Sequence, residues 1–190
     1  MQHLRADHPM TLGADLRALR KSRGLTLTEV AERLDRSVGW LSQVERDKSE
    51  PSITDLRQMA TLLDVSVSML FRHEAAPADE DGFIVRKTSR RPIGPTIDGL
   101  IEELLSPDLT DDFEMVHSTF EPGSALAEPV SRPTQEVAYL ISGQLTVEIE
   151  GTSHDIRPGD SFRIRGEAFR WSNPGDVPAV AIWVIAPPVY

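Results

Sequence analysis

Cysteine is absent from the 190 residues. Neither a disulfide framework nor a thiolate metal site is therefore available, which fits a reducing cytosol. A long apolar run is missing too. The most apolar stretch, residues 177–190, is interrupted by Pro178, Pro187 and Pro188 and falls short of the roughly 20 apolar residues a membrane span needs. The first ten residues, MQHLRADHPM, lack the apolar centre of a signal peptide. The chain reads as a soluble, cytoplasmic protein of one or two domains with no membrane partner. An excess of basic charge is also lacking: the formal net charge is −10.

What the chain does have is an uneven charge distribution. Residues 1–74 hold 11 Lys/Arg and 11 Asp/Glu, whereas residues 75–190 hold 9 and 19. The acidic second part would repel phosphate, while the balanced first part can still present a local basic patch.

The two parts also differ in period. Leu12, Leu16 and Leu19 form an apolar stripe at helical spacing, and Gly24 is placed to end that helix. Thr26 and Glu29 make a capping box for a second helix, whose inner face is Val30, Ala31 and Leu34. Ser37 is placed to cap a third helix reaching about Arg46. Pro51-Ser52 opens a fourth with Ile53, Leu56, Met59, Ala60 and Leu63 inside, and Ser66 can cap a short fifth near Phe71. Residues 73–82, HEAAPADEDG, have the composition of a solvated linker. From Phe83 onward short β-rich runs alternate with turn residues: FIVRK, FEMVHSTF, EVAYLI, LTVEIE, SHDI, SFRI, FRWS and VAIWVIA. That spacing predicts an antiparallel sandwich or barrel, with Ser142-Gly143 and Glu150-Gly151 as hairpin turns.

The helices at 26–34 and 37–46, separated by Asp35-Arg36, have the layout of a helix-turn-helix. The GLT start, the LSQVER core of the third helix, the PSI opening and the closing VSV with Leu70-Phe71 resemble the Xre/Cro-type, lambda-repressor-like DNA-binding domain over residues 10–72. The resemblance implies that the third helix enters the major groove. Leu41 and Val44 then point inward, and Val38, Gly39, Ser42 and Gln43 face the bases. Gln43 is the direct-readout candidate, because its amide can pair bidentately with adenine. Arg36, Ser37, Arg46 and Lys48 are phosphate candidates, and Trp40 either packs on the sugar-phosphate edge or completes the core. A glutamine often opens the second helix in this family; Leu27 stands there. Arg20 and Glu45 match a family pair that locks the first helix to the third.

The second domain, residues 83–190, resembles the cupin fold, a small jelly-roll β-barrel, over roughly residues 97–190. Gly123, Glu136 ahead of VAYLISG, Pro158-Gly159-Asp160 and Asn173-Pro174-Gly175 carry the likeness. Together the two resemblances imply an α + β protein with an N-terminal helical bundle and a C-terminal barrel. The implied function is a homodimeric, sequence-specific transcriptional regulator of repressor type, bound to double-stranded operator DNA and responsive to a small-molecule effector. The same architecture occurs in iron-dependent hydroxypropylphosphonate epoxidases, so a metal-dependent enzyme is the rival; a ligand-free structural dimeriser is the third reading.

The metal motif decides against the enzyme. Family cupins hold their metal with two histidines, a glutamate and a third histidine, a set suited to iron, manganese or zinc. Only Glu136 remains; the other places fall on Pro129 or Val130, on Ser131 or Arg132, and on Phe169. No catalytic residue, metal ligand set or cofactor is therefore expected. His117, on the strand near 113–120, is the histidine whose strand position allows it to face inward or outward. The emptied barrel is expected to present Glu136, Ala138, Phe169 and Trp171, with Arg132 at its mouth. Those groups suit an amine, an amino acid or a related small organic molecule, unless Arg132 and Glu136 pair and side chains fill the space.

Overall fold

The computed structural model describes residues 11–188 except 66, 71–78, 81, 94–96, 108 and 110, and the side chain of residue 68. The expected cap at Ser66, the helix end near Phe71 and most of the 73–82 linker lie outside the described residues.

Helix α1 is Leu12–Ser22, α2 is Leu27–Arg33, α3 is Val38–Val44 and α4 is Ile53–Leu63, followed by a 3-10 turn at Val67–Leu70. Each helix begins where a hydroxyl can satisfy an unpaired N–H. Thr11, Thr26, Ser37 and Ser52 accept from the backbone N–H of Ala14, Glu29, Trp40 and Asp55. Glu29 and Asp55 complete reciprocal capping boxes. In the first of these, the Thr26 backbone N–H holds the Glu29 carboxyl below the usual carboxylate range.

The third helix is shorter than its sequence suggests. It stops at Val44 because Asp47 turns left-handed at φ 55°, and the Lys48 N–H returns to the Gln43 carbonyl at 2.8 Å. Asp47 is held there by the first helix, whose Gly13 N–H donates to it at 2.9 Å. Leu16, Leu19, Val30, Ala31, Leu41, Val44, Leu56, Met59 and Leu63 are buried together. Each large aliphatic among them contributes about 1.5–3 kcal/mol.

The strands are β1 Arg91–Pro92, β2 Leu100–Leu104, β3 Glu114–Phe120, β4 Gln135–Ser142, β5 Leu145–Ile149, β6 Thr152–Ile156, β7 Ser161–Ile164, β8 Phe169–Ser172 and β9 Ala179–Ala186. They form two antiparallel sheets, β1-β2-β3-β9-β4-β7 and β6-β5-β8. Their inner faces meet over Val116, Phe120, Leu140, Val147, Ile164, Trp171 and Trp183. Phe120 stands edge-on to Trp171, with ring centroids 4.6 Å apart.

Three strand expectations change. FIVRK is not a strand: Phe83 is exposed and Lys87–Ser89 forms a 3-10 turn, because no strand among the described residues takes up its backbone. LIEEL at Leu100–Leu104, by contrast, is a strand paired with β3. Ser142-Gly143 is not a hairpin, since β4 pairs with β7 and β9 while β5 pairs with β6 and β8. It is the crossing from one sheet to the other, and Gly143 passes so close to Ala179 that an added Cβ would lie 2.5 Å from its Cα. Glu150-Gly151 is a two-residue hairpin, with Ile149 opposite Thr152 and both turn residues at positive φ.

The helical and sheet parts touch. Leu104 and Leu109 are buried with the helical core. Arg91 of β1 donates to Asp15 of α1 at 2.8 Å, with both side chains almost fully buried.

Candidate nucleic-acid interface and barrel cavity

Helix α3 has two distinct faces. Leu41 and Val44 are 2 % and 1 % exposed and anchor it in the bundle. Val38, Gly39 and Gln43 lie on the solvent side, and Ser42 is at the margin. A Cβ at Gly39 would meet only the Ser37 hydroxyl, at 3.9 Å, so the backbone there is open to close approach.

The inner end of α3 is fixed by an ion pair. Glu45 accepts from Arg20 Nε at 2.6 Å and from Nη2 at 2.9 Å, and Arg20 Nη1 donates to the Leu25 carbonyl at 2.7 Å. The bidentate hydrogen bond to Glu45 raises the Arg20 guanidinium above its ordinary value, against the opposing effect of burial.

The flanking basic residues divide. Arg46 and Lys48 are exposed; Arg46 Nε donates to the Ser42 carbonyl at 2.9 Å. Arg36 is already engaged. Its Nε and Nη2 donate to Asp55 at 3.0 and 2.8 Å, and its Cζ stands 5.3 Å from the Trp40 ring centroid. The Ser52 hydroxyl and then Arg36 hold the Asp55 carboxyl below its usual range. Trp40 packs against the helical core while carrying Arg36 on its face, so Arg36 braces the turn before α3 to the start of α4.

In the sheet region, a cavity of about 70 Å³ is lined by Leu100, Glu102, Val130, Arg132, Glu136, Phe169, Trp171 and Trp183 among others. Four of the five expected residues line it. Ala138 does not: it is fully buried in the core. Of the candidate positions for histidine ligands, Val130, Arg132 and Phe169 line the cavity. Glu136 accepts from the Thr134 hydroxyl at 2.6 Å, and Arg132 Nη1 lies 4.0 Å from it. Side chains thus fill much of the interior.

Glu102 was not anticipated. It sits on β2, opposite Ser118, whose hydroxyl donates to it at 2.9 Å. Loss of hydration raises its carboxyl above the ordinary value more than Ser118 and Arg132 lower it, and Glu136 adds to the rise. Adjacent Glu102 and Glu103 look equivalent in the sequence; only pairing with β3 turns the first inward. His117 lies on the outward side, 4.0 Å from Glu103. No cluster of three or more His, Cys, Asp or Glu side chains suited to a metal occurs among the described residues.

A larger space of about 700 Å³ lies outside the two sheets. It is an open cleft between α1 and Leu109, Asp111 and Asp112, lined by Arg17, Lys21 and Arg46 and by Asp47 among others. Its charges are mixed and its walls belong to separate units, so it lacks the convergent polar groups of a ligand pocket. No helix of the described residues is long and apolar enough to cross a membrane.

Comparison with known proteins gives two matching families, one described as Helix-turn-helix domain over residues 11–70 and one as Cupin domain over residues 116–185. The HTH-type transcriptional regulator PuuR of Escherichia coli (strain K12) is 24 % identical over 162 residues, covering 84 % of this chain and 85 % of its own length. The transcriptional regulator ClgR of Mycobacterium tuberculosis (strain ATCC 25618 / H37Rv) is 32 % identical over 97 residues, covering 50 % of this chain and 87 % of its own. A solved HTH_3 family transcriptional regulator from Vibrio cholerae aligns over 95 % of this chain and 97 % of its own at 23 % identity, with a TM-score of 0.46.

Proposed function

This chain belongs to the helix-turn-helix transcriptional regulators that carry a C-terminal cupin domain, and we propose that it reads its operator through the outward face of α3 as a cytoplasmic homodimer. The observation that carries this is the division of α3: Leu41 and Val44 are consumed by the core, while Gln43, Gly39 and Val38 are exposed. Gln43 reads an adenine, Val38 meets a thymine methyl, and Ser37, Arg46 and Lys48 contact phosphates. Arg36 serves the interface by holding the turn, since its guanidinium is bound to Asp55. The test is Gln43→Ala, an exposed change that spares the fold. Specific affinity should fall by about 1–3 kcal/mol, with relaxed preference at one base position. An equal loss on every sequence would refute direct readout.

The same reading makes the sheet domain a sensor without turnover. The side chains that line the cavity, Val130, Arg132 and Phe169 among them, include no histidine, which supports this. The cavity of about 70 Å³ is well below the roughly 300–1,000 Å³ of drug-sized sites, so it takes only a small group. Two carboxylates, Glu102 and Glu136, against the Trp171 and Trp183 walls favour the ammonium head of an organic amine, which would compete with Arg132, 4.0 Å away, for Glu136. Titration with a panel of amines and amino acids tests this. A response confined to neutral or acidic compounds would exclude the amine. Stoichiometric iron in the purified protein would favour the metal-dependent enzyme instead.

A further inference from the structure

The outer face of the six-stranded sheet carries side chains that a solvated surface would not select. β3, β9 and β4 lie side by side there. Met115 stands opposite Val184 and Val184 opposite Val137; in the next row His117 faces Ile182 and Ile182 faces Tyr139. Met115, Val137, Tyr139, Ile141 and Val184 are each 37–50 % exposed. They are consecutive outward positions of adjacent strands, so they form one continuous patch instead of scattered apolar residues. Antiparallel sheets with one solvated face normally alternate apolar-in with polar-out; here the outward positions of β4 read Val137, Tyr139, Ile141.

We propose that this face is the homodimer interface, with a second copy of the chain packed sheet against sheet. Three observations commit it to that occupant. At 37–50 % exposure the five side chains present on the order of 450 Å² per copy, and with the neighbouring outward residues of the same strands the pair approaches the roughly 1,200 Å² at the low end of a stable interface. Its margins carry opposite charge: Arg163 faces outward on β7, next to Val137, and Glu103, which keeps a bond to Arg90 at 3.2 Å, faces outward on β2, next to His117. A two-fold axis in the interface, along β9 and parallel to the strands, lays β7 of one copy over β2 of the other. Arg163 then approaches Glu103 of the partner subunit, and the apolar centre meets its own image. Finally, the same strands hold the cavity on their other side. Glu136 points inward and Val137 outward; Glu102 points inward and Glu103 outward. A group bound between Glu102 and Glu136 therefore bears on the layer that sets the distance between the two α3 helices.

This inference rests on the reading that two α3 helices act together on one operator, and the experiment separates the two claims. The full chain and its variants Tyr139→Glu and Val184→Lys are weighed by sedimentation equilibrium. A Ser153→Glu variant, altered on an exposed position of β6, is the control. The wild type and the control should have twice the chain mass of 21.1 kDa. Both interface variants should be monomers with unchanged circular dichroism, and their affinity for a duplex selected by the wild type from a random pool should fall at least 30-fold. Dimeric Tyr139→Glu and Val184→Lys proteins, or a monomeric wild type, would overturn the interface. A wild type that is dimeric and loses dimerisation in both variants, yet prefers no duplex, would keep the interface and sink the operator reading.

Discussion

Replacing Glu45 by alanine strips Arg20 of a bidentate partner in a place where water cannot take over. The two side chains are only 11 % and 6 % exposed, and both hydrogen bonds are short, 2.6 and 2.9 Å. An exposed pair of this type contributes about 0–1 kcal/mol. Removing one member of a buried pair costs about 3–5 kcal/mol, because the remaining charge keeps its desolvation penalty without its partner. The larger figure applies here: Arg20 is also tied by Nη1 to the Leu25 carbonyl and cannot swing out without losing that bond. In a chain of this size each kcal/mol moves the midpoint by about 2–4 °C, so Glu45→Ala should melt roughly 10 °C early by far-UV circular dichroism. The double variant Arg20→Met, Glu45→Leu should recover most of the loss, since an apolar pair of similar volume needs no compensation. It should also keep operator affinity below its melting range, because neither residue faces the bases. A single-variant loss under about 1 kcal/mol, or a double variant worse than the single, would refute the assignment of this pair as a buried strut.

Glu102→Gln should stabilise the protein at neutral pH. Its folded carboxyl is raised, so its favourable contribution is complete below the unfolded value near 4.5 and is lost as pH rises through the folded value; urea titrations of the two proteins should diverge across that window, and parallel curves would refute it. An amine that binds beside Glu102 in that window should release protons, which calorimetry in buffers of differing ionisation enthalpy will detect; no buffer dependence would place the amine elsewhere. Arg91→Met deprives buried Asp15 of the guanidinium that joins α1 to β1. The expected loss is about 3 kcal/mol in urea unfolding, and a loss below about 1 kcal/mol would mean the junction is open in solution. Gly143→Ala should destabilise by more than about 1 kcal/mol, because φ is 77° and the new Cβ meets Ala179 backbone; an unaffected melting curve would contradict the close crossing.

The helical half was legible because its signals are local. A Thr26 hydroxyl three residues before Glu29 specifies a helix start wherever it stands, and Leu12, Leu16 and Leu19 need only a helical period to share a face. The inward Leu41 and Val44 and the outward Gln43 follow from the same 3.6-residue repeat. The sheet half depends on partners distant in the chain. FIVRK has strand composition and no strand to pair with, whereas LIEEL pairs with β3 despite two adjacent glutamates. Nothing within three residues of Ser142-Gly143 distinguishes a hairpin from a crossing between sheets; the pairing of β4 with β9 makes the difference. The sequence by itself determined the capped helices and the outward face of α3, both a matter of residue type at short spacing. Tertiary structure alone decided that Glu102 joins Glu136 at the cavity, that Arg36 is committed to Asp55, and that Val137, Tyr139 and Val184 share an outer face. Those facts are set by strand register and helix packing, where a shift of one residue would exchange the inside for the outside.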